Sequence, residues 1–208
     1  MHYLVSHFDV VARALGQHLV LSFAALGVAL IIAIPLGVLV ARRRWLRLPV
    51  YGVLGVIYTI PSLALLALLI PLEGLGFRTA LTALAAYAQM ILVRNIATGL
   101  DGVDRAVIEA ARGMGMSAWQ VFWSVERPLA MPVALGGVRV AIISIIGIAN
   151  VAAWINAGGL GTLVLGGIQS DNPDKAVAGA LMSAALALAA DFALRLAERR
   201  YRRHLAIA

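Results

Sequence analysis

Residues 104–132 read DRAVIEAARGMGMSAWQVFWSVERPLAMP and form the one long polar interruption between the apolar runs of this chain. Asp104 can cap a helix that ends at the Gly113–Gly115 break, because glycine tolerates left-handed backbone. Ser117, with a glutamine three residues later, has the spacing of a capping box, so a second short helix is predicted to run from there to Pro128. Neither helix has the roughly 20 apolar residues that cross a bilayer. The stretch predicts a helical elbow in water or among headgroups, with an ordinary amphipathic loop as the alternative on these residues alone.

The composition is typical of a polytopic membrane protein. Of the 208 residues 62% are hydrophobic, the mean hydropathy is +0.93 and the net charge is +7. Positive charge in such a chain normally marks cytoplasmic loops and contacts with anionic headgroups, which argues against a nucleic-acid partner. The sequence contains no cysteine, so disulfides and thiolate metal sites are excluded.

Catalytic and metal-binding chemistry is not indicated. The histidines share no spacing with carboxylates and are interpreted as interfacial side chains: His2, His7, His18 and His204. The P-loop pattern G-x-x-x-x-G-K-[ST] does not occur. We therefore expect no cofactor or metal on this chain, no enzymatic activity, and a separate subunit as the energy source.

Five transmembrane spans are predicted from the apolar runs. They cover about Gln17–Ala41, Leu48–Ile70, Thr79–Leu100, Ala130–Ile155 and Ala176–Ala197. The second span contains Pro61, which removes one backbone donor, and Thr59 or Ser62 can satisfy the freed carbonyls, so a kink is predicted there. The spans and the elbow are expected to form a single domain over residues 1–208.

Basic residues predict the orientation of the spans. Clusters follow the first span and close the chain: Arg42, Arg43, Arg44, Arg47, Arg195, Arg199, Arg200, Arg202 and Arg203. Only Arg13, Arg78 and Lys175 fall on the opposite side. The positive-inside rule then places the N-terminus outside and the C-terminus in the cytoplasm.

Two further segments lie outside the predicted spans. Within residues 1–16, apolar side chains lie at helical spacing on one face: Leu4, Phe8, Val11 and Leu15. We expect these residues to form a segment that is retained and lies along the membrane interface. The stretch from residue 156 to 175 is rich in turn-forming residues, including Gly158, Gly159 and Gly161. It predicts an outer loop, for which partial re-entry into the membrane is left open.

Three charged residues, Arg94, Arg139 and Asp191, lie well inside spans, where an isolated charge is expensive. Arg139 and Asp191 lie at similar depths from the inner ends of their spans, so we expect them to pair. Arg94 is the competing partner, and snorkelling of Arg139 to the headgroups is the other alternative.

The elbow resembles a known family motif. Glu109-Ala110-Ala111, three residues, Gly115, nine residues, Val125 and then Pro128 is similar to the EAA loop of membrane subunits in ATP-binding-cassette importers. Arg127 departs from the family, which usually has leucine before the proline. The resemblance implies that residues 101–129 form a cytoplasmic coupling loop that inserts into a cleft of an ATPase subunit. The ATPase-coupling residues would be Glu109, Ala110, Ala111, Gly115 and Pro128.

Longer strings resemble the permeases for glycine betaine, choline and carnitine. These are Thr59–Leu65, Arg94–Asn95, Glu109–Gly115 and the stretch from Gly137 to Gly161, although Asn150-Val151 and Asn156 depart from the residues common there. The resemblance implies an all-α integral membrane permease with type I importer architecture in a bacterial inner membrane. It further implies an ATPase subunit that binds ATP, a second permease subunit, an external solute-binding protein and surrounding lipid as partners.

Candidates for the translocation pathway are Tyr58, Pro61, Ser62, Asn150 and Trp154, and the aromatic members could contact a cationic solute through cation–π interactions. The same architecture for another small solute, such as an amino acid, is the alternative. A secondary transporter or channel is more remote, because it would need paired intramembrane carboxylates and Asp191 is the one acidic residue well inside a span.

Overall fold

The computed structural model describes residue 3 and residues 6–207, with side chains described no further than Tyr201. His2 and Leu4, and the side chains of Arg202, Arg203 and His204, lie outside the described residues.

Helices account for nearly all of the described chain, and no strand occurs within it. The α-helices are α1 Phe8–Arg42, α2 Arg47–Thr59, α3 Ser62–Glu73, α4 Phe77–Asp101, α5 Arg105–Gly113, α6 Ala118–Val121, α7 Arg127–Ala149, α8 Gly161–Gln169 and α9 Pro173–Ile207. Short 3-10 segments cover Arg44–Leu46 and Val151–Ile155, and a π-helix covers Phe122–Glu126. The predicted all-α class is confirmed.

Within the described residues, four helices are long and apolar enough to cross a membrane: Phe8–Arg42, Phe77–Asp101, Ala118–Ala149 and Pro173–Tyr201. A fifth crossing is possible if α2 and α3, which meet at a bend of 100°, count as one span. When α2 and α3 are counted together as one span, the number agrees with the five spans predicted from the sequence.

The second span is much more sharply bent than the predicted kink. Ile60 and Pro61 are both extended, because a residue before proline avoids the α region and proline cannot donate to the helix. The Thr59 hydroxyl donates to the carbonyl of Val56 at 2.8 Å, as predicted for one of the flanking hydroxyls. The hydroxyl of Tyr87 on α4 donates to the Ile60 carbonyl, so α4 holds the bend in place.

Pro128 does not end the second elbow helix, and that prediction is wrong. Ala118–Ala149 runs as one helix, with the π-helical turn immediately before Pro128. There the N–H of Arg127 bonds to the carbonyl of Phe122, five residues back. Pro128 thus falls in the first turn after a change of hydrogen-bond register, a position where a missing N–H is tolerated.

The first span also differs from its prediction, because α1 begins at Phe8 and continues through Gln17 without a break. Val11 and Ala14 are buried against Leu160 and Leu163, whereas Phe8 is exposed. Residues 8–16 are therefore an extension of the span rather than a separate helix, and their position relative to the membrane interface stays a prediction.

α4 is the central helix, packed between α1 and α7, and α9 packs on α7 and α8. Small residues allow close approach: a Cβ on Gly99 of α4 would lie 2.7 Å from the carbonyl oxygen of Ala130 on α7. Between α1 and α4, the Gln89 amide donates to the carbonyl of Ala29 at 3.1 Å. The elbow follows α4 and therefore lies at the basic end of this bundle, where the Arg47 guanidinium pairs with Asp101 at 2.6 Å.

Candidate functional site

The elbow has the local structure that its sequence predicts. Asp104 caps α5 by accepting a hydrogen bond from the N–H of Ala106 at 2.9 Å. Ser117 and Gln120 form a reciprocal capping box with distances of 2.8 and 3.3 Å. Between the two helices Gly115 has a φ of +86°, which glycine adopts without steric penalty. The sequence signals therefore define a rigid turn and not a flexible loop.

The residues of the EAA-like motif divide between two environments. Glu109, Ala110 and Gly115 are exposed, so a partner can contact them. Ala111 is 2% exposed and packs inward. Pro128 is half-buried, and its carbonyl accepts a hydrogen bond from the Tyr201 hydroxyl of α9 at 3.4 Å. Ala111 and Pro128 thus support the elbow from within, while the other three form its accessible face.

An exposed apolar patch lies beside this face, and sequence reasoning missed it. Met114 is 77% and Trp119 69% exposed, and the Trp119 ring contacts Trp123 edge-on at 5.3 Å between centroids. The guanidinium of Arg127 lies 4.8 Å over the Trp123 ring, which gives a structural role to the residue that replaces the family's leucine. Exposed apolar patches mark protein interaction sites. The signal available in the sequence was the four-residue spacing of the two tryptophans on a polar helix.

The structure brings some of the pathway candidates together and separates others. Tyr58 is half-exposed beside the bend at Pro61 and Ser62, and its ring meets the buried Tyr87 ring edge-on at 6.2 Å. α3 contacts the 3-10 segment that holds the exposed Trp154. The amide oxygen of Asn150 instead accepts a hydrogen bond from Ser183 of α9 at 2.7 Å. Asn150 therefore contributes to the packing of α7 against α9.

The charged side chains form a network larger than a pair. The Arg139 Nε lies 3.4 Å from Asp191 Oδ1, and its Nη1 lies 3.5 Å from Glu198 Oε2. Arg195 approaches the other oxygen of Asp191 at 2.6 Å. Arg94 makes no ion pair with another described residue. Sequence reasoning missed Glu198 and Arg195, although Asp191, Arg195 and Glu198 follow at helical spacing on one face.

His18 is fully buried, so its interpretation as an interfacial side chain is wrong. Its Nδ1 accepts a hydrogen bond from the N–H of Leu160 at 3.2 Å, and its Nε2 lies 3.2 Å from the carbonyl of Ile146. A neutral imidazole that is protonated at Nε2 satisfies both partners, because Nδ1 accepts from the Leu160 N–H and Nε2 donates to the Ile146 carbonyl. The neighbouring Gln17 accepts from the N–H of Gly159 at 3.1 Å. α1 thereby holds the glycine-rich loop.

The glycine-rich loop is a turn and a close-packing contact at once. Gly158 and Gly159 have φ values of +79° and +84°, and a Cβ on Gly158 would lie 2.6 Å from the side-chain oxygen of Gln17. A Cβ on Gly161 would collide with the backbone of Asn150. Gly158 and Gly159 thus allow the turn, and Gly161 allows the close packing against Asn150.

The long apolar helices, with a polar helical elbow at one end of the bundle, define a polytopic membrane protein. Residues 33–203 match the family described as the binding-protein-dependent transport system inner membrane component, and the chain belongs to that family. Membership excludes the alternative of a secondary transporter or channel.

The relatives agree with this class. The osmoprotectant import permease protein OsmW of Salmonella typhimurium is 43% identical over 199 residues, which are 93% of each chain. The carnitine transport permease protein OpuCB of Listeria monocytogenes is 40% identical over 86% of this chain and 82% of that protein. The choline transport system permease protein OpuBB of Bacillus subtilis is 36% identical over 88% and 85%, respectively. The resemblance to osmoprotectant permeases is confirmed.

Solved structures support the predicted architecture. A chain of the MetNI methionine ABC transporter in an inward-facing conformation matches with a TM-score of 0.84 and 22% identity, over 92% of this chain and 96% of that one. An amino acid ABC transporter with histidines matches with a TM-score of 0.76 and 21% identity, over 95% and 96%. At this identity the likeness concerns the fold alone, and the predicted importer-permease architecture is confirmed.

Proposed function

We propose that this chain forms the translocation pathway of an ATP-driven importer for quaternary-ammonium osmoprotectants such as glycine betaine, choline and carnitine. The observation that carries the proposal is the 43% identity, over 93% of both chains, to a permease named for osmoprotectant import. Relatives named for carnitine and choline transport support the same class of solute.

The chemistry of the spans is compatible with such a solute. A bulky, weakly hydrated quaternary ammonium needs no matching buried counter-charge, whereas a compact divalent ion would be poorly compensated. Two of the three charged residues that lie well inside the spans, Arg139 and Asp191, are already engaged in a network with Glu198. Exposed aromatic rings, Tyr58 near the bend and Trp154 beside α3, could contact the cation face-on.

The remaining parts of the machine belong to other subunits in this proposal. A cytoplasmic ATPase binds ATP and receives the accessible face of the elbow, at Glu109, Ala110 and Gly115, together with the adjoining tryptophans. A second permease subunit, identical or related, completes the pathway, and an external binding protein selects the solute. The chain itself carries no cofactor. Its N-terminus lies outside and its C-terminus in the cytoplasm, in keeping with the arginine clusters at the elbow end.

Reconstitution tests the proposal. The chain is placed in proteoliposomes with its cognate ATPase and binding protein, and ATP-dependent uptake of radiolabelled glycine betaine, choline and carnitine is compared with that of methionine and histidine. We expect uptake of at least one quaternary amine and none of the amino acids. Uptake of an amino acid without any response to a quaternary amine would reject the substrate class, because amino acid transporters share this fold.

A further inference from the structure

Glu126 is an acidic side chain held inside the protein at the root of the elbow. The residue is only 5% exposed and ends the π-helical turn Phe122–Glu126. Both of its oxygens accept hydrogen bonds from the guanidinium of Arg42, one at 3.0 Å and the other in a shorter contact. The same guanidinium lies 5.5 Å over the ring of Phe122. This bidentate, charge-assisted contact fixes the relative orientation of the two side chains as well as the distance between them.

The two residues belong to different parts of the molecule. Arg42 is the last residue of α1, and Glu126 belongs to the turn that α5 and α6 contact. A cavity of about 250 Å³ separates the end of α1 from α5, with Arg42 and Glu126 among its lining residues. α5 is therefore not packed tightly against α1 at this point, and the ion pair beside the cavity joins the end of α1 to the π-helical turn.

The π-helical turn makes the position of Glu126 sensitive to the elbow. A π-helical turn contains one residue more than an α-helical turn, and such turns are frequent at functional sites. Any rotation of the elbow that changes this turn would swing Glu126 about the helix axis. Because the Arg42–Glu126 contact is bidentate, such a movement of Glu126 would also displace the guanidinium of Arg42.

α1 connects this pair to the opposite end of the bundle. The helix is continuous from Phe8 to Arg42, and His18 and Gln17 near its start hold the glycine-rich loop. His18 and Arg42 are separated by about 36 Å at 1.5 Å per residue. One helix thus contacts both the elbow root and the outer loop.

We propose that Arg42 and Glu126 are a positioning pair that transmits movement of the elbow to α1 and, through it, to the glycine-rich loop. The proposal rests on the proposed function, since it presumes that an ATPase moves the elbow. It assigns a role to two residues that are not among the ATPase-coupling residues implied by the EAA-like motif.

A neighbouring ion pair provides a matched control. Arg47 on α2 pairs with Asp101 at the end of α4, at the same end of the bundle, with the same charge types. That pair joins two spans and involves no elbow residue. Arg47→Gln therefore breaks a neighbouring ion pair without cutting the proposed link and without changing a residue of the coupling loop.

The experiment measures solute uptake per ATP hydrolysed in the reconstituted complex. In Glu126→Gln we expect the ATPase to co-purify as with the wild type and uptake per ATP to fall about tenfold, within the range of allosteric couplings. Arg42→Lys, which keeps the charge but loses the fork, should give a smaller fall in the same direction. The exchanged pair Arg42→Glu with Glu126→Arg should recover part of the loss, and Arg47→Gln should leave uptake per ATP unchanged.

Three results would overturn the inference. One is wild-type uptake per ATP in both Glu126→Gln and Arg42→Lys, and another is a fall in Arg47→Gln as large as in Glu126→Gln. The third is loss of the ATPase from the Glu126→Gln complex, which would make the pair part of docking. If Glu126→Gln failed to fold, Arg42→Lys and the exchanged pair would decide. Failure of the wild-type chain to bind an ATPase would instead reject the proposed function itself.

Discussion

The N–H of Leu160 donates a hydrogen bond of 3.2 Å to Nδ1 of His18, across 142 positions of sequence. Because both groups are buried, removing the acceptor leaves an unsatisfied N–H in an apolar environment. We expect His18→Leu to destabilise the protein by about 1–3 kcal/mol. The thermal unfolding midpoint in detergent measures this loss.

The control for His18 is His7→Leu, because His7 is exposed and stacks only on Tyr3 near the start of the chain. It should leave the midpoint unchanged. An equally small effect of His18→Leu would show that the imidazole does not hold the loop.

The charge network of α7 and α9 predicts coupled mutations. Asp191→Asn should lower stability by about 1 kcal/mol, a modest figure because the side chain of Arg139 is 30% exposed and partly screened. Glu198 still faces Arg139 in that variant, so Asp191→Asn with Glu198→Gln should be worse than either change alone. Adding Arg139→Gln to the double variant Asp191→Asn with Glu198→Gln should restore part of the loss, since Arg139 has then lost both of its carboxylate partners and its unpaired charge is removed. Strict additivity in unfolding experiments would exclude direct pairing of Arg139 with Asp191.

The turn of the elbow predicts a difference between two glycines. Gly115 has a φ of +86°, so Gly115→Leu should strain the backbone by about 1 kcal/mol or more and abolish transport while the protein still inserts. Gly113 is helical and a Cβ there meets no atom within 4 Å, so Gly113→Ala should transport normally. Uptake and membrane fractionation are measured together, and normal transport by Gly115→Leu would contradict a role for the turn.

A charge reversal on the exposed face of the elbow is predicted to prevent binding of the ATPase. Glu109→Lys reverses the charge of an accessible side chain that makes no ion pair with another described residue. We expect the chain to insert and remain stable, but to lose the ATPase on purification. Retention of the ATPase together with full uptake would show that docking does not depend on Glu109.

The topology can be tested by single cysteines in this cysteine-free chain. An impermeant thiol reagent added to intact cells should modify Leu75→Cys and Asn172→Cys, at the end of the bundle opposite the elbow. It should spare Trp45→Cys and Ala118→Cys until the cells are opened. The reverse pattern would invert the proposed orientation.

The helix caps and the turn of the elbow were predictable because their signals are local. Asp104 bonds two residues away and Ser117 three residues away, so caps and turn depend on a few neighbouring residues. The apolar spans were predictable for a related reason: in lipid each helix satisfies its own backbone, and length and hydropathy are enough to indicate it. Their ends were less certain, since α1 starts earlier than its apolar run and α7 continues the elbow helix through Pro128.

Only the tertiary structure decided which polar groups are buried and what they contact. The bend at Pro61 is held by Tyr87 from another helix, and His18 is buried because Leu160 and Ile146 satisfy both of its ring nitrogens. The Arg42–Glu126 pair joins residues 84 positions apart. The sequence shows which polar side chains fall in apolar runs, where burial without a partner costs free energy. The partner that offsets this cost comes from a distant segment of the chain, and the tertiary packing decides which segment that is.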